Sequence, residues 1–132
     1  MVIKAHTIIE IAGFPAKHIT GAMDTVLKKL KEEKGINIIK KRVNKTKKVK
    51  EMWSTFAELE LKFLDLSTLM GFCFDYLPSS IEIIDPAVLH TESKMLANNL
   101  NDMLAKLHQY TMFISNLNAE NTMLKRRATI TS

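Results

Sequence analysis

Only one cysteine, three prolines and four glycines occur in the 132 residues. The lone Cys73 excludes an internal disulfide. Its apolar neighbours from Leu69 to Phe74 suit a small buried hydrophobe with a quenched thiol, not a nucleophile. Gly13 and Gly35 stand beside turns, and neither belongs to a phosphate-cradling loop. No apolar run approaches the ~20 residues that span a bilayer, so no membrane partner is expected. The opening Met1-Val2-Ile3-Lys4-Ala5-His6 carries charge and alternates like a strand, unlike a signal peptide, which points to the cytoplasm. His18, His90 and His108 are isolated and no His-x-x-x-His spacing occurs, so neither a metal nor a cofactor is expected. No catalytic constellation emerges, and the expectation is of a protein that binds and is not an enzyme.

Acids are missing from one segment. Between Lys40 and Lys50 stand Lys40, Lys41, Arg42, Lys45, Lys47, Lys48 and Lys50, with no Asp or Glu among them. These are seven of the 19 basic residues, so the rest of the chain, with its 14 acids, is slightly acidic. Concentrated charge of this kind suits a polyanion partner, either nucleic acid or an acidic protein. One arginine against six lysines, with no aromatic between them, predicts electrostatic, salt-sensitive and sequence-independent contact with phosphates.

What is present reads as alternating elements. Ile3, Ala5, Thr7, Ile9 and Ile11 share one face of a first strand. After Gly13-Phe14-Pro15, the spacing of Ile19, Ala22, Met23, Val26, Leu27 and Leu30 predicts an amphipathic helix from Ala16 to Lys34 that stops at Gly35. Ile36–Val43 reads as a second strand running into the basic segment, which should project from the sheet as a flexible hairpin. Trp53–Phe63 reads as a third strand. Asp65 can cap a short helix that Pro78 ends, Ile81–Ile84 forms a fourth strand, and Thr91 can cap a long last helix. A chain of this length can bury roughly two-thirds of its unfolded surface, so packing alone can hold it together.

The order β-α-β-β-α-β resembles the ferredoxin-like plait. That resemblance implies an α+β fold: a four-stranded antiparallel sheet with two helices on one face, plus a long C-terminal oligomerising helix. The expected boundaries are a ferredoxin-like domain over 1–88, an amphipathic or coiled-coil helix over 89–127 and a disordered tail over 128–132. Small regulatory domains of the ACT and Lrp-effector type look like this, which implies a small-effector-sensing alternative. The turn Ala12-Gly13-Phe14-Pro15-Ala16, however, lacks the polar groups an amino-acid ligand would want. The RNA-recognition motif shares the layout too. The open sheet face, with His6, Ile8, Glu10, Phe56, Glu58, Glu60 and Glu82, has one aromatic and carboxylates that repel phosphate, so it suits packing better than RNA. The Lys/Ile-rich composition and layout are similar to those of uncharacterised archaeal proteins.

The last third carries the strongest pattern. Leu96, Leu100, Met103, Leu107, Tyr110, Ile114, Leu117, Asn121 and Leu124 recur in steps of four and three, a heptad stripe over about four heptads with one polar intrusion. A helix with such a stripe needs a partner. The expectation is a homo-oligomer, dimer or tetramer, that docks another macromolecule. Leu104 and Phe113 widen the stripe, which favours a larger bundle or packing on the sheet over a bare two-stranded coil.

Overall fold

In a computed structural model of the protein, residues 2–131 are described. Eight elements follow one another: β1 (Ile3–Gly13), α1 (Ala16–Glu32), β2 (Ile36–Val43), β3 (Lys47–Val49), β4 (Met52–Phe63), α2 (Leu66–Tyr76), β5 (Ser80–Asp85) and α3 (Ser93–Thr131). They form two units, the first ending at Thr91 and the second opening at Glu92. The fold is α+β, with one antiparallel sheet and three helices, the last of them long.

The sheet runs in the order β2-β4-β1-β5, and β4 is its spine. One side of β4 pairs with β1 along its whole length, from Gly13 opposite Trp53 to Ile3 opposite Phe63. The other side is shared: β2 takes Ala57 to Phe63, and β3 takes Met52 to Ser54. Strand alternation then sorts the side chains. Ile3, Ala5, Thr7 and Ile9 of β1 are buried with Thr55, Ala57, Leu59, Leu61 and Phe63 of β4. Met23, Leu27 and Leu30 of α1 and Leu69 and Phe72 of α2 join the strand residues in a single cluster, so both helices cover one face. The two buried hydroxyls have partners: Thr7 Oγ1 donates to the Ser80 carbonyl at 2.8 Å and Thr55 Oγ1 to the Asn44 carbonyl at 2.9 Å.

The helix ends follow local chemistry. Asp65 accepts from the Thr68 amide at 2.8 Å and from its hydroxyl at 2.7 Å, which closes the N-terminus of α2. These bonds hold the Asp65 carboxyl below its ordinary value. Phe72 lies between Phe63, tilted against it at 5.4 Å between centroids, and Tyr76, stacked on it at 5.2 Å. The Tyr76 hydroxyl donates to Glu33 Oε1 at 2.9 Å, which ties α2 to the end of α1. Burial first, then the Glu33 acceptor, push that phenol up.

Four expectations need correcting. The sheet has five strands, not four, because Lys47–Val49 pairs with the start of β4. The basic segment is therefore no flexible hairpin. The Asn44 amide donates to the Phe56 carbonyl at 2.9 Å, and the Thr46 and Thr20 hydroxyls meet at 2.6 Å, so the connection is tied to both β4 and α1. The long helix starts at Ser93, not at 89 or with Thr91 as its cap: the Leu96 amide donates to the Glu92 carbonyl at 2.9 Å. Its residues 128–131 are helical where a disordered tail was expected, since no Gly or Pro interrupts them. Ser132 lies outside the described residues.

Two substitutions test this packing. Phe72→Ala should cost about 3–5 kcal/mol in chemical denaturation, since it empties the middle of an aromatic stack. Asp65→Ala should cost about 1 kcal/mol. Because the folded carboxyl titrates below the unfolded one, the cap's contribution is complete above the ordinary carboxylate range and is lost as pH falls through the lower folded value. Wild type and Asp65→Ala should therefore converge in stability at low pH.

Candidate functional site

Strand β2 sets the geometry of the basic segment through an irregularity. Ile38 stands opposite Leu61, yet Lys40 stands opposite Glu60, so Ile39 is an extra residue in the ladder. Without that bulge Lys40 and Arg42 would share the face of Ile36 and Ile38, which lies toward the helices. With it they face outward opposite Glu60 and Glu58. Arg42 Nη1 lies 3.9 Å from Glu58 Oε2, and on the other side of β4 Lys4 Nζ lies 3.7 Å from Glu60 Oε1. A cavity of about 600 Å³ opens between these groups, lined by His6, Lys40, Lys41, Arg42, Glu58, Leu59 and Glu60. Among the described residues, Glu60 Oε2 is buried there without a hydrogen-bond partner.

This divides the seven cations into two groups. Lys40 and Arg42 sit beside carboxylates, and Lys41 is paired with Leu59 across the ladder. Lys45, Lys47, Lys48 and Lys50 lie beyond β2, where Lys47 and Lys48 face Ser54 and Trp53. All seven side chains are exposed. Ion pairs at such distances on a surface are worth little, ~0–1 kcal/mol, so a polyanion can compete for the first group as well. The carboxylate neighbours were not foreseen as partners of the basic segment, because alternation alone gives no sign of a bulge.

The β3–β4 connection is tight. Val49 pairs with Met52, and Lys50 takes φ 59° in the two-residue turn. Left-handed backbone suits glycine and costs a lysine roughly 1 kcal/mol. Of the other residues considered, His6, Ile8, Glu58, Glu60 and Phe56 are half-buried on the open face, while Glu10 and Glu82 are exposed on it. The Ser54 hydroxyl donates to Glu10 at 3.2 Å. Among the described residues, no three His, Cys, Asp or Glu side chains come together as a metal site would require. Cys73 packs against the core, and burial pushes its thiol up.

The second surface belongs to α3. At 1.5 Å per residue its 39 residues make a rod about 58 Å long. Leu100 is 40% exposed, Leu107 44%, Ile114 57% and Leu124 60%, and Leu96, Tyr110, Leu117 and Asn121 are exposed with them. Met103 is half-buried. Leu104 and Phe113, flanking the stripe, are exposed as well. Six asparagines (98, 99, 101, 116, 118 and 121) and several Thr and Ser residues lower the intrinsic propensity of a helix otherwise rich in Leu, Met, Ala, Lys and Arg. Most helical stability in proteins comes from packing of the apolar face, and among the described residues this stripe is largely uncovered.

Sheet, helices and stripe together define a small α+β protein in which a helix-covered antiparallel sheet is followed by a long amphipathic rod. The chain belongs to the MJ0538 family, whose sequence model matches residues 4–125, from the start of β1 through most of α3. No curated protein and no solved structure matches it. No described helix is long and apolar enough to cross a membrane.

Lys50→Gly tests the turn. It should raise stability by about 0.5–1 kcal/mol, read as an upward shift in thermal midpoint, because glycine adopts the left-handed backbone without cost. A fall in the midpoint would show that the lysine side chain contributes more than the turn strain removes.

Proposed function

We propose that the protein is a non-catalytic assembly module. In this reading a ferredoxin-like domain, extended by the extra strand β3, is joined into homo-oligomers by its C-terminal helix, and the assembly docks another macromolecule. The observation that carries it is the exposed apolar stripe of α3, long and regular. A solvated stripe of that length is an interaction surface by its composition, since singly scattered apolar residues are ordinary but a contiguous band is not. Oligomerisation would multiply the basic segment, and several weak electrostatic contacts held together gain avidity without new chemistry.

A second reading has its own support: nonspecific binding of nucleic acid by Lys40–Lys50. It rests on the exposure of all seven cations and on the ordering of Lys47 and Lys48 along β3, which fixes them on the sheet margin and lowers the entropy lost on binding.

Two experiments separate the readings. Leu107→Asp places a carboxylate in the stripe and should weaken self-association by ~100-fold or more, seen as a shift to the monomer volume in gel filtration, with the unfolding of the sheet domain unchanged. An unchanged elution volume would remove α3 from the assembly. In anisotropy titrations with a random DNA duplex and an RNA strand, nucleic-acid binding predicts affinity that falls steeply with salt and is lost when Lys45, Lys47, Lys48 and Lys50 become Gln. Absence of binding at low salt would retire nucleic acid and leave the basic segment as a solvated stretch or a docking site for an acidic protein.

A further inference from the structure

We infer that the partner of the α3 stripe is the α3 of a second copy, aligned parallel and in register as a two-stranded coil. The inference rests on the self-association reading above and adds the orientation and the strand number. The heptad steps put Leu100, Leu107, Ile114 and Asn121 at the a positions, and Leu96, Met103, Tyr110, Leu117 and Leu124 at the d positions.

Asn121 decides the orientation. In a parallel, in-register pair, a residues face a residues, so the Asn121 amide meets its own copy and each can donate to the other's carbonyl. In an antiparallel pair a faces d, and the same amide would be set against Met103 or Leu96. A polar group among apolar side chains without a partner is costly, so that arrangement is disfavoured. A single Asn at an a position also favours two strands over the larger bundles that an all-aliphatic seam allows.

The flanks agree. Glu120 falls at a g position and Lys125 at the e position of the next heptad, the pair that meets across a parallel coil. Phe113 at g and Leu104 at e are both largely exposed on the free helix. In a parallel pair Phe113 lies over the seam beside Ile114 and shields it, so the wide stripe does not require more than two strands. Regularity adds to this: α3 holds neither Gly nor Pro, and its helix is continuous from Ser93 to Thr131, so the seam stays on one face over four heptads.

The test is disulfide trapping in the full-length chain, with Cys73 changed to Ala. Leu124→Cys places a thiol at a d position near the helix end. The parallel, in-register pair brings residue 124 beside residue 124 of the other copy, and mild oxidation should convert most of the protein to a covalent dimer. A mixture of Leu124→Cys and Leu100→Cys chains should give the 124–124 and 100–100 products and little of the mixed one. A dimer that yields mainly the 100–124 product would overturn the parallel arrangement while leaving self-association standing. Sedimentation at a trimer or tetramer mass would overturn the two-stranded assignment. A chain that stays monomeric at 100 µM and does not cross-link would overturn both this inference and the assembly reading beneath it. Asn121→Leu supplies an independent check: it should tighten association and broaden the distribution to higher oligomers, whereas an unchanged single dimer would contradict the role given to Asn121.

Discussion

Everything in the first unit depends on the register of β4. Twelve residues long, it alone touches β1, β2 and β3, and its alternation puts Thr55, Ala57, Leu59, Leu61 and Phe63 beneath the helices. A slip of one residue would bury Phe56, Glu58 and Glu60 in their place, which no arrangement of the surrounding apolar side chains could accommodate. Phe63 then anchors Phe72, and Phe72 anchors Tyr76, so the aromatic stack and the Tyr76–Glu33 bond follow from the same register.

The same strand governs the charged surface. Glu58 and Glu60 face away from the core because their neighbours face into it, and the bulge at Ile39 turns Lys40 and Arg42 to meet them. The basic segment is thus partly held in place by the sheet, through carboxylates on β2's side and through the β3 ladder beyond it. Of the seven cations, the four past Val43 have fewer acidic neighbours across the ladder, and these are the ones a polyanion would meet without displacing an ion pair.

Much of the fold is legible in the sequence, because burial imposes period two on strands and period 3.6 on helices. Ile3 to Ile11 and Trp53 to Phe63 declare their faces through alternation alone, and Asp65 declares the start of α2 through the chemistry of a cap. Strand β3 is not legible. Lys-Lys-Val has no apolar alternation, and its pairing is supplied by the unfilled side of β4, not by its own composition. The bulge is equally silent, since the run Ile38-Ile39-Lys40 looks the same in sequence whether or not the ladder skips a residue. The end of α3 is silent for a related reason: Ala128 to Thr131 carry no strong signal, and the helix continues simply because nothing stops it. The stripe on α3 could be read directly, and so could the need for a partner, but one chain's sequence names a surface without naming what covers it.

What covers the stripe is answered most directly by the solution mass of the intact chain. Light scattering coupled to gel filtration, run across a hundredfold range of concentration at moderate salt, would give that mass without labels or substitutions. A paired α3 gives a species of twice the 15.0 kDa chain mass, dissociating only at the lowest concentrations. A mass of one chain throughout the range would contradict it, and would mean that the apolar stripe of α3 is met by something other than its own kind.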